Sequence, residues 1–278
     1  MSTTREDQIK ELLKTPELCQ IRKLYRYRTM ESQELEGIFT KREIFLPKPI
    51  DFNDPFECRP KLTVYNSGLK RQQFIRARVR NMMPCNNRKA RKALMRDYNR
   101  ILRDRPEHID NAYERFLETT GLYCLSEKKD DILMWSHYSS GHKGLCIEFD
   151  PILDARIGGM ILFGQALKVI YSEERPIVNV MAFVMASDQP TEYKKALLTK
   201  SNHWEYEEEW RVIKTEREGG PGIRHFRPEI LTGVIFGALI SPENKQKIME
   251  WVSRYPTKIV LYQAIIDETK YKLNIEPI

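Results

Sequence analysis

The chain has 278 residues, enough to bury a sizeable core, and at 41% hydrophobic residues it reads as folded rather than disordered. No apolar run reaches the length of a membrane helix, and the N-terminal "MSTTREDQIKELLKTPEL" is charged where a signal core would be apolar, so a cytoplasmic protein with no membrane association is expected. The net charge of +7 is uneven: Lys70 to Arg105 holds thirteen Lys or Arg against two acids, Asp97 and Asp104, a local +11 that leaves −4 for the rest.

In chain order, "KLYRYRT" alternates as a short strand. "MESQELEGIFTKR" reads as a helix with Ser32 as its N-cap, and "EIFLPKP" as an extended stretch stopped by prolines. The basic segment has helical spacing. Ile75, Val79 and Met82 form one apolar stripe, and Leu94, Tyr98, Ile101 and Leu102 another, with Pro84 and Asn86-Asn87 breaking the run. A helical hairpin with apolar inner and basic outer faces is expected. Two readings stay open for it: a solvated surface, or a platform for phosphate-rich partners built on Arg76, Arg80, Arg88 and Arg91.

"GLYCLS" and "GLCIEFD" read as strands flanking a helix near Asp130 to Ser140, and "ALKVIYSEERP" as another strand. "TEYKKALLTKSNHW" reads as a helix. "EEEWRVIKTE" and "GIRHFRP" read as a hairpin joined through "REGGPG". Strand "GVIFG", helix "PENKQKIMEWVSRY" and strand "KIVLYQAII" close the chain. The order predicts a single α+β domain over residues 1–278. Its sheet is mixed or mostly antiparallel, with a basic helical insertion at about residues 66–120.

The five cysteines (Cys19, Cys58, Cys85, Cys124, Cys146) are scattered without a C-x-x-C pair, the pattern of free thiols in a reducing compartment. His137 and His142, five residues apart, fall off a common helical face, so no metal site is expected.

Four stretches carry unusual polar chemistry. In "LYRYR", strand alternation puts Arg26 and Arg28 on one face, where two cations call for an anion, and Tyr25 and Tyr27 on the other. In "FNDPFE", Asn53 and Asp54 suit a turn, while Glu57 has no such local role. In "LYCLSEKKDDILMWSHYSSGHKGLCIEFD", Ser126 ends a strand, where side chains face clefts. Asp130 or Asp131 opens the helix carrying Trp135 and Tyr138, which Gly141 stops. In "HWEYEEEWRVI", a strand from Glu207 would align Glu207, Glu209 and Arg211. Two carboxylates so spaced repel unless a cation, hydroxyl or substrate joins them.

Together, "LYRYR", "FNDPFE", "SEKKDDILMWSHYSSGHKGLCIEFD" and "WEYEEEWR" resemble the bacterial domain of unknown function 2971 family from about Tyr25 to the final strand. More distantly, the chain resembles ADP-ribosyltransferases, which carry an Arg or His strand, a strand ending in Ser or Tyr before a helix, and a Glu-x-Glu strand, in that order. Arg26 or Arg28, Ser126, and Glu207-x-Glu209 take those places, although no Ser-Thr-Ser is present and the basic segment separates the first two.

That resemblance implies an ADP-ribosyltransferase-like fold and NAD as substrate. It implies transfer to a nucleic-acid or protein acceptor, or hydrolysis, in a bacterial defence or toxin context, with no metal. Glu209 would stabilise the oxocarbenium-like transition state, Glu207 orient or deprotonate the acceptor, and Ser126 brace Glu209. Arg26 or Arg28 would hold the phosphates, and Tyr138 or Trp135 stack on nicotinamide. A nucleic-acid-binding defence protein and a catalytically silent interaction module are the competing expectations.

Overall fold

The computed structural model describes residues 14–63, 88–104, 107–157, 161–179 and 190–278, with positions 69, 72, 73, 75, 76, 79, 80 and 159. The break expected at Pro84 and Asn86-Asn87, together with Cys85 and the side chains of Met82, Ile101 and Leu102, lies outside them. The strands are β1 (Leu24–Arg28), β2 (Glu43–Leu46), β3 (Lys61–Thr63), β4 (Gly121–Ser126), β5 (Leu145–Phe149), β6 (Leu167–Lys168), β7 (Ile170–Ser172), β8 (Ile177–Asn179), β9 (Thr199–Ser201), β10 (Glu209–Lys214), β11 (Gly222–His225), β12 (Leu231–Phe236), β13 (Val260–Ile266) and β14 (Leu273–Pro277). Helices with described bounds are α1 (Leu35–Thr40), α2 (Arg88–Asp104), α3 (Glu107–Thr119), α4 (Ile132–Tyr138), α5 (Pro151–Ile157), α6 (Pro190–Leu198) and α7 (Pro242–Ser253), and the described positions between 69 and 80 are helical as well.

Eight strands form one sheet in the order β14-β13-β12-β5-β1-β4-β10-β6. It is mixed and mostly antiparallel, as the sequence predicts. Only β12 and β13 run parallel. Strand alternation builds two cores on it. Leu24, Tyr123, Leu125, Ile147, Phe149, Trp210, Val212 and Phe236 pack with Leu35, Ile38 and Phe39 of α1 and Ile248 of α7. On the other face Tyr25, Tyr27, Cys146, Ile235 and Ala264 pack with Met134 and Trp135 of α4. A third cluster joins Tyr113 and Leu117 of α3 to Cys58, Leu122, Val178, Ala196 and Leu197.

β1 and β4 part early. They share one register pair, Tyr25 with Ser126, while β1 continues along β5 to Arg28 and β4 along β10 to Gly121. The sheet is thereby split at its centre, and the end of β1 is held by a close backbone approach. A Cβ on Gly144 would stand 2.1 Å from the Arg28 carbonyl oxygen, which only glycine permits.

Several expectations are corrected. α1 starts at Leu35, and Ser32 lies ahead of the cap position, donating its hydroxyl to Glu34 instead. "ALKVIYSEERP" divides between β6, paired with β10, and β7, paired with β9. The helix in "TEYKKALLTKSNHW" ends at Leu198; Thr199 to Ser201 is strand, and a 3₁₀ turn follows from Asn202 to Glu207. β10 and β11 are not a hairpin. A capping box at Thr215 and Glu218, then Gly219 and Gly220 with positive φ, lead the chain off the sheet, and β11 pairs with β2. The chain closes on β14, an extra strand antiparallel to β13, rather than on "KIVLYQAII".

Candidate active site

A cavity of about 380 Å³ occupies the split between β1 and β4. Its lining includes Arg26, Arg28, Ser126, Tyr138, Glu207 and Glu209, so all but one of the residues assigned from sequence to the reaction and its dinucleotide meet there. A second cavity of about 670 Å³ shares Asn53 and Lys200 with it.

The register explains the meeting. Ser126 stands opposite Tyr25 on β1 and opposite Glu209 on β10, so Glu209, Ser126 and Tyr25 share one sheet face. Arg26 and Arg28 alternate to the other face, with Tyr123. Their guanidinium carbons lie 5.0 and 5.7 Å from the Tyr123 ring centroid, and Arg26 Nη1 donates to the Cys124 carbonyl at 2.7 Å. The arginines and the acids reach one cavity only because the strands diverge.

Neither arginine has a carboxylate within ion-pair distance among the described residues, and both Nε atoms are buried without a hydrogen-bond partner. Burial and then the neighbouring Arg26 charge push the Arg28 guanidinium down from its ordinary value. Two such cations side by side favour an anionic ligand.

The acids are not a bare repelling pair. β10 begins at Glu209; Glu207 ends the 3₁₀ turn, and Glu208 between them adopts the left-handed conformation at φ 42°. The strand expected from Glu207 is therefore two residues shorter, yet both carboxylates converge. Lys200 Nζ donates to Glu207 Oε2 at 2.6 Å and to Glu209 Oε2 at 2.9 Å. Arg211 grips Glu209 with Nε to Oε1 at 2.7 Å and Nη2 to Oε2 at 2.9 Å, and also contacts Glu57 closely. Tyr138 donates its hydroxyl to Glu207 Oε1 at 2.7 Å. Burial alone would raise the Glu209 carboxyl, but the Arg211 and Lys200 cations outweigh it and hold the group well below the usual carboxylate range. Burial, with Glu209 and Glu207 nearby, raises the Glu57 carboxyl against the pull of Arg211 and Lys200. Lys200 and Arg211 thus sit among three carboxylates, Glu57, Glu207 and Glu209, whereas Arg26 and Arg28 have no carboxylate within ion-pair distance among the described residues.

Ser126 does not touch the Glu209 carboxylate. Its hydroxyl donates to the Glu207 carbonyl at 2.5 Å and accepts from Lys128 N–H at 2.9 Å, fixing the backbone that carries the acids. The expected brace is therefore indirect. Trp135 is wholly buried, edge-on to Tyr27 with centroids 5.1 Å apart, and its Nε1 donates to the Lys129 carbonyl. It is core rather than a stacking surface, whereas Tyr138 lines the cavity. Asp131 caps α4, accepting from Leu133 and Met134 N–H. Asp54 accepts from Phe56 N–H and Trp204 Nε1, the structural role expected of it.

The sequence missed Lys200, and it placed Arg211 beside Glu209 without giving it a task. Glu57 was singled out without a role. Among the described residues there is no metal-ligand cluster, the four described cysteines are free, and no helix is long and apolar enough to cross a membrane.

Of the basic-segment residues, Arg76, Arg80 and Arg88 are exposed, with Ile75 and Val79 buried, while Arg91 is half-buried.

Fold and site thus define an α+β protein with a split, mostly antiparallel sheet and a buried acid–base cluster at the split. The family model described as "Protein of unknown function (DUF2971)" matches residues 134–212, from within α4 through the greater part of β10, and bears out the family resemblance over that span. That span includes Tyr138, Lys200, Glu207, Glu209 and Arg211; Arg26, Arg28 and Ser126 precede it. No curated protein and no solved structure matches the chain.

Proposed function

We propose that the cavity binds NAD and that the protein is an ADP-ribosyltransferase-like enzyme, transferring ADP-ribose to a macromolecule or to water. The carrying observation is the convergence of three sequence regions, on the adjacent strands β1, β4 and β10, at one cavity. Arg26 and Arg28, with no carboxylate within ion-pair distance among the described residues, suit a diphosphate. The second cavity, through Asn53 and Lys200, gives room for the rest of a dinucleotide or for the acceptor.

In this reading the nicotinamide–ribose C–N bond breaks, nicotinamide departs with the bonding pair, and positive charge develops on the ribose. Glu209, whose ionised form Arg211 and Lys200 favour, stands beside that charge. A carboxylate offers about four acceptor positions. Arg211 takes two of them and Lys200 one, and the Cys124 thiol approaches the same carboxylate, so a ribose hydroxyl would take the thiol's place at the remaining position. Glu207 accepts the proton lost by the attacking hydroxyl, amine or water, and Tyr138 lies against the nicotinamide. Isothermal titration with NAD and an assay of nicotinamide release test the reading. Folded wild-type protein that neither binds NAD nor releases nicotinamide, with candidate protein and nucleic-acid acceptors present, would leave an interaction module as the better account.

A further inference from the structure

The cavity does not account for α2. Arg88, Lys89, Lys92, Arg96 and Arg100 are all exposed on this helix, and at 3.6 residues per turn they fall within a sector of about 120°. Arg88, Lys92, Arg96 and Arg100 recur every four residues, or about 6 Å, along roughly 18 Å of axis. Asp97 at the edge of the sector approaches Arg100 only to 3.7 Å, and both are exposed. Arg88, Lys89, Lys92 and Arg96 have no carboxylate partner among the described residues. Such a row is electrostatically costly by itself and is relieved by a polyanion of matching length.

We propose that this face of α2 docks on the phosphate backbone of duplex nucleic acid. Three observations choose that partner. The side chains are cationic without an intervening apolar residue. Leu94 and Tyr98 are half-buried on the opposite side of the helix, and Met95, which borders the row beside Arg88, is half-buried as well, whereas a membrane-surface helix needs apolar side chains at its solvent face. Among the described residues of α2 no aromatic ring stands among the cations to stack an unpaired base, which favours a duplex over a single strand. Asn99, the amide nearest the row, spends its side chain on the Met95 carbonyl, so the contact reads phosphates rather than base edges. Arg76 and Arg80, exposed one helical turn apart, add two further cations to the same region of sequence. The inference does not depend on the chemistry proposed for the cavity.

Fluorescence anisotropy with a labelled DNA duplex, from about 50 to about 200 mM salt, tests it. Wild-type binding should weaken with a log–log slope of about −4 to −5, as expected for five phosphate contacts. Replacing Arg88, Lys92, Arg96 and Arg100 together by Gln should weaken binding at least tenfold (~10×) and flatten the slope to about −1. Replacing the three arginines of that set by Lys should retain it, which separates charge from folding. Nicotinamide release into water should be the same in the Gln variant as in wild type, so failure of the docking surface and failure of the cavity reading give different results. Wild-type protein that ignores the duplex at low salt, a Gln variant that binds with the wild-type slope, tighter binding of a single strand, or capture by anionic phospholipid vesicles in place of duplex would each overturn the proposal.

Discussion

Glu207 and Glu209 share one ammonium group: Lys200 Nζ lies 2.6 Å from the first carboxylate and 2.9 Å from the second. All three side chains are almost wholly buried, at 6%, 4% and 3% exposure for Lys200, Glu207 and Glu209. Two like charges held out of water are tolerable only because the cation is desolvated with them, and because Arg211 and Tyr138 satisfy other acceptor positions.

Removing that ammonium should therefore be costly. Lys200→Met should lower the unfolding free energy by about 3–5 kcal/mol, the usual cost of leaving a buried charge unpaired. Lys200→Arg, which keeps the charge, should cost less. Urea denaturation gives both values, and a Lys200→Met midpoint equal to wild type would mean that the carboxylates find another partner.

Arg28 should behave in the opposite way. It is half-buried beside Arg26, and its Nε is buried without a partner. In the free protein, Arg28→Met should raise stability by roughly 1 kcal/mol, because a desolvated charge without a carboxylate is replaced by an apolar chain of similar volume. The same variant should bind NAD or pyrophosphate more weakly. Thermal shifts with and without pyrophosphate measure both effects. A variant that is destabilised and still binds would show that Arg28 serves packing.

Glu209→Gln keeps the shape and loses the charge. In the proposed reaction it should lower nicotinamide release by orders of magnitude while NAD affinity changes little, since the carboxylate acts on charge that develops in the transition state. Glu207→Gln should impair transfer to an acceptor more than it impairs NAD binding. Equal release by Glu209→Gln and wild type would remove Glu209 from the chemistry.

The acid limb of stability carries a sign that can be checked. Glu209 is held below its ordinary 4.5, so its contribution is present above that value and is lost as pH falls through the folded pKa. The stability gap between wild type and Glu209→Gln should accordingly narrow below about pH 4.5. Glu57 is raised above the same ordinary value. Its contribution is full below 4.5 and falls as pH rises through the folded pKa, so the gap for Glu57→Gln should change in the other direction. Urea unfolding from neutral to acid pH distinguishes the two, and parallel pH profiles would contradict the assignment.

The sequence by itself determined the local pieces. The strands "LYRYR" and "GLYCLS", a helix opened by Asp130 or Asp131 ahead of "ILMWSHY", and the i,i+2 spacing of Glu209 and Arg211 are short-range patterns, and each appears in the structure, which assigns the cap to Asp131. Tertiary structure alone decided the site. Lys200 reaches the acids because α6 stops at Leu198 and β9 begins. No periodicity marks that change, since the residue's partners are seven and nine positions away across a 3₁₀ turn. The meeting of Arg26 and Arg28 with Glu209 is likewise invisible to alternation, which puts them on opposite faces of one sheet. It follows from the parting of β1 and β4 after a single register pair, and strand pairing between distant segments is set by packing across the whole core rather than by either segment's own sequence.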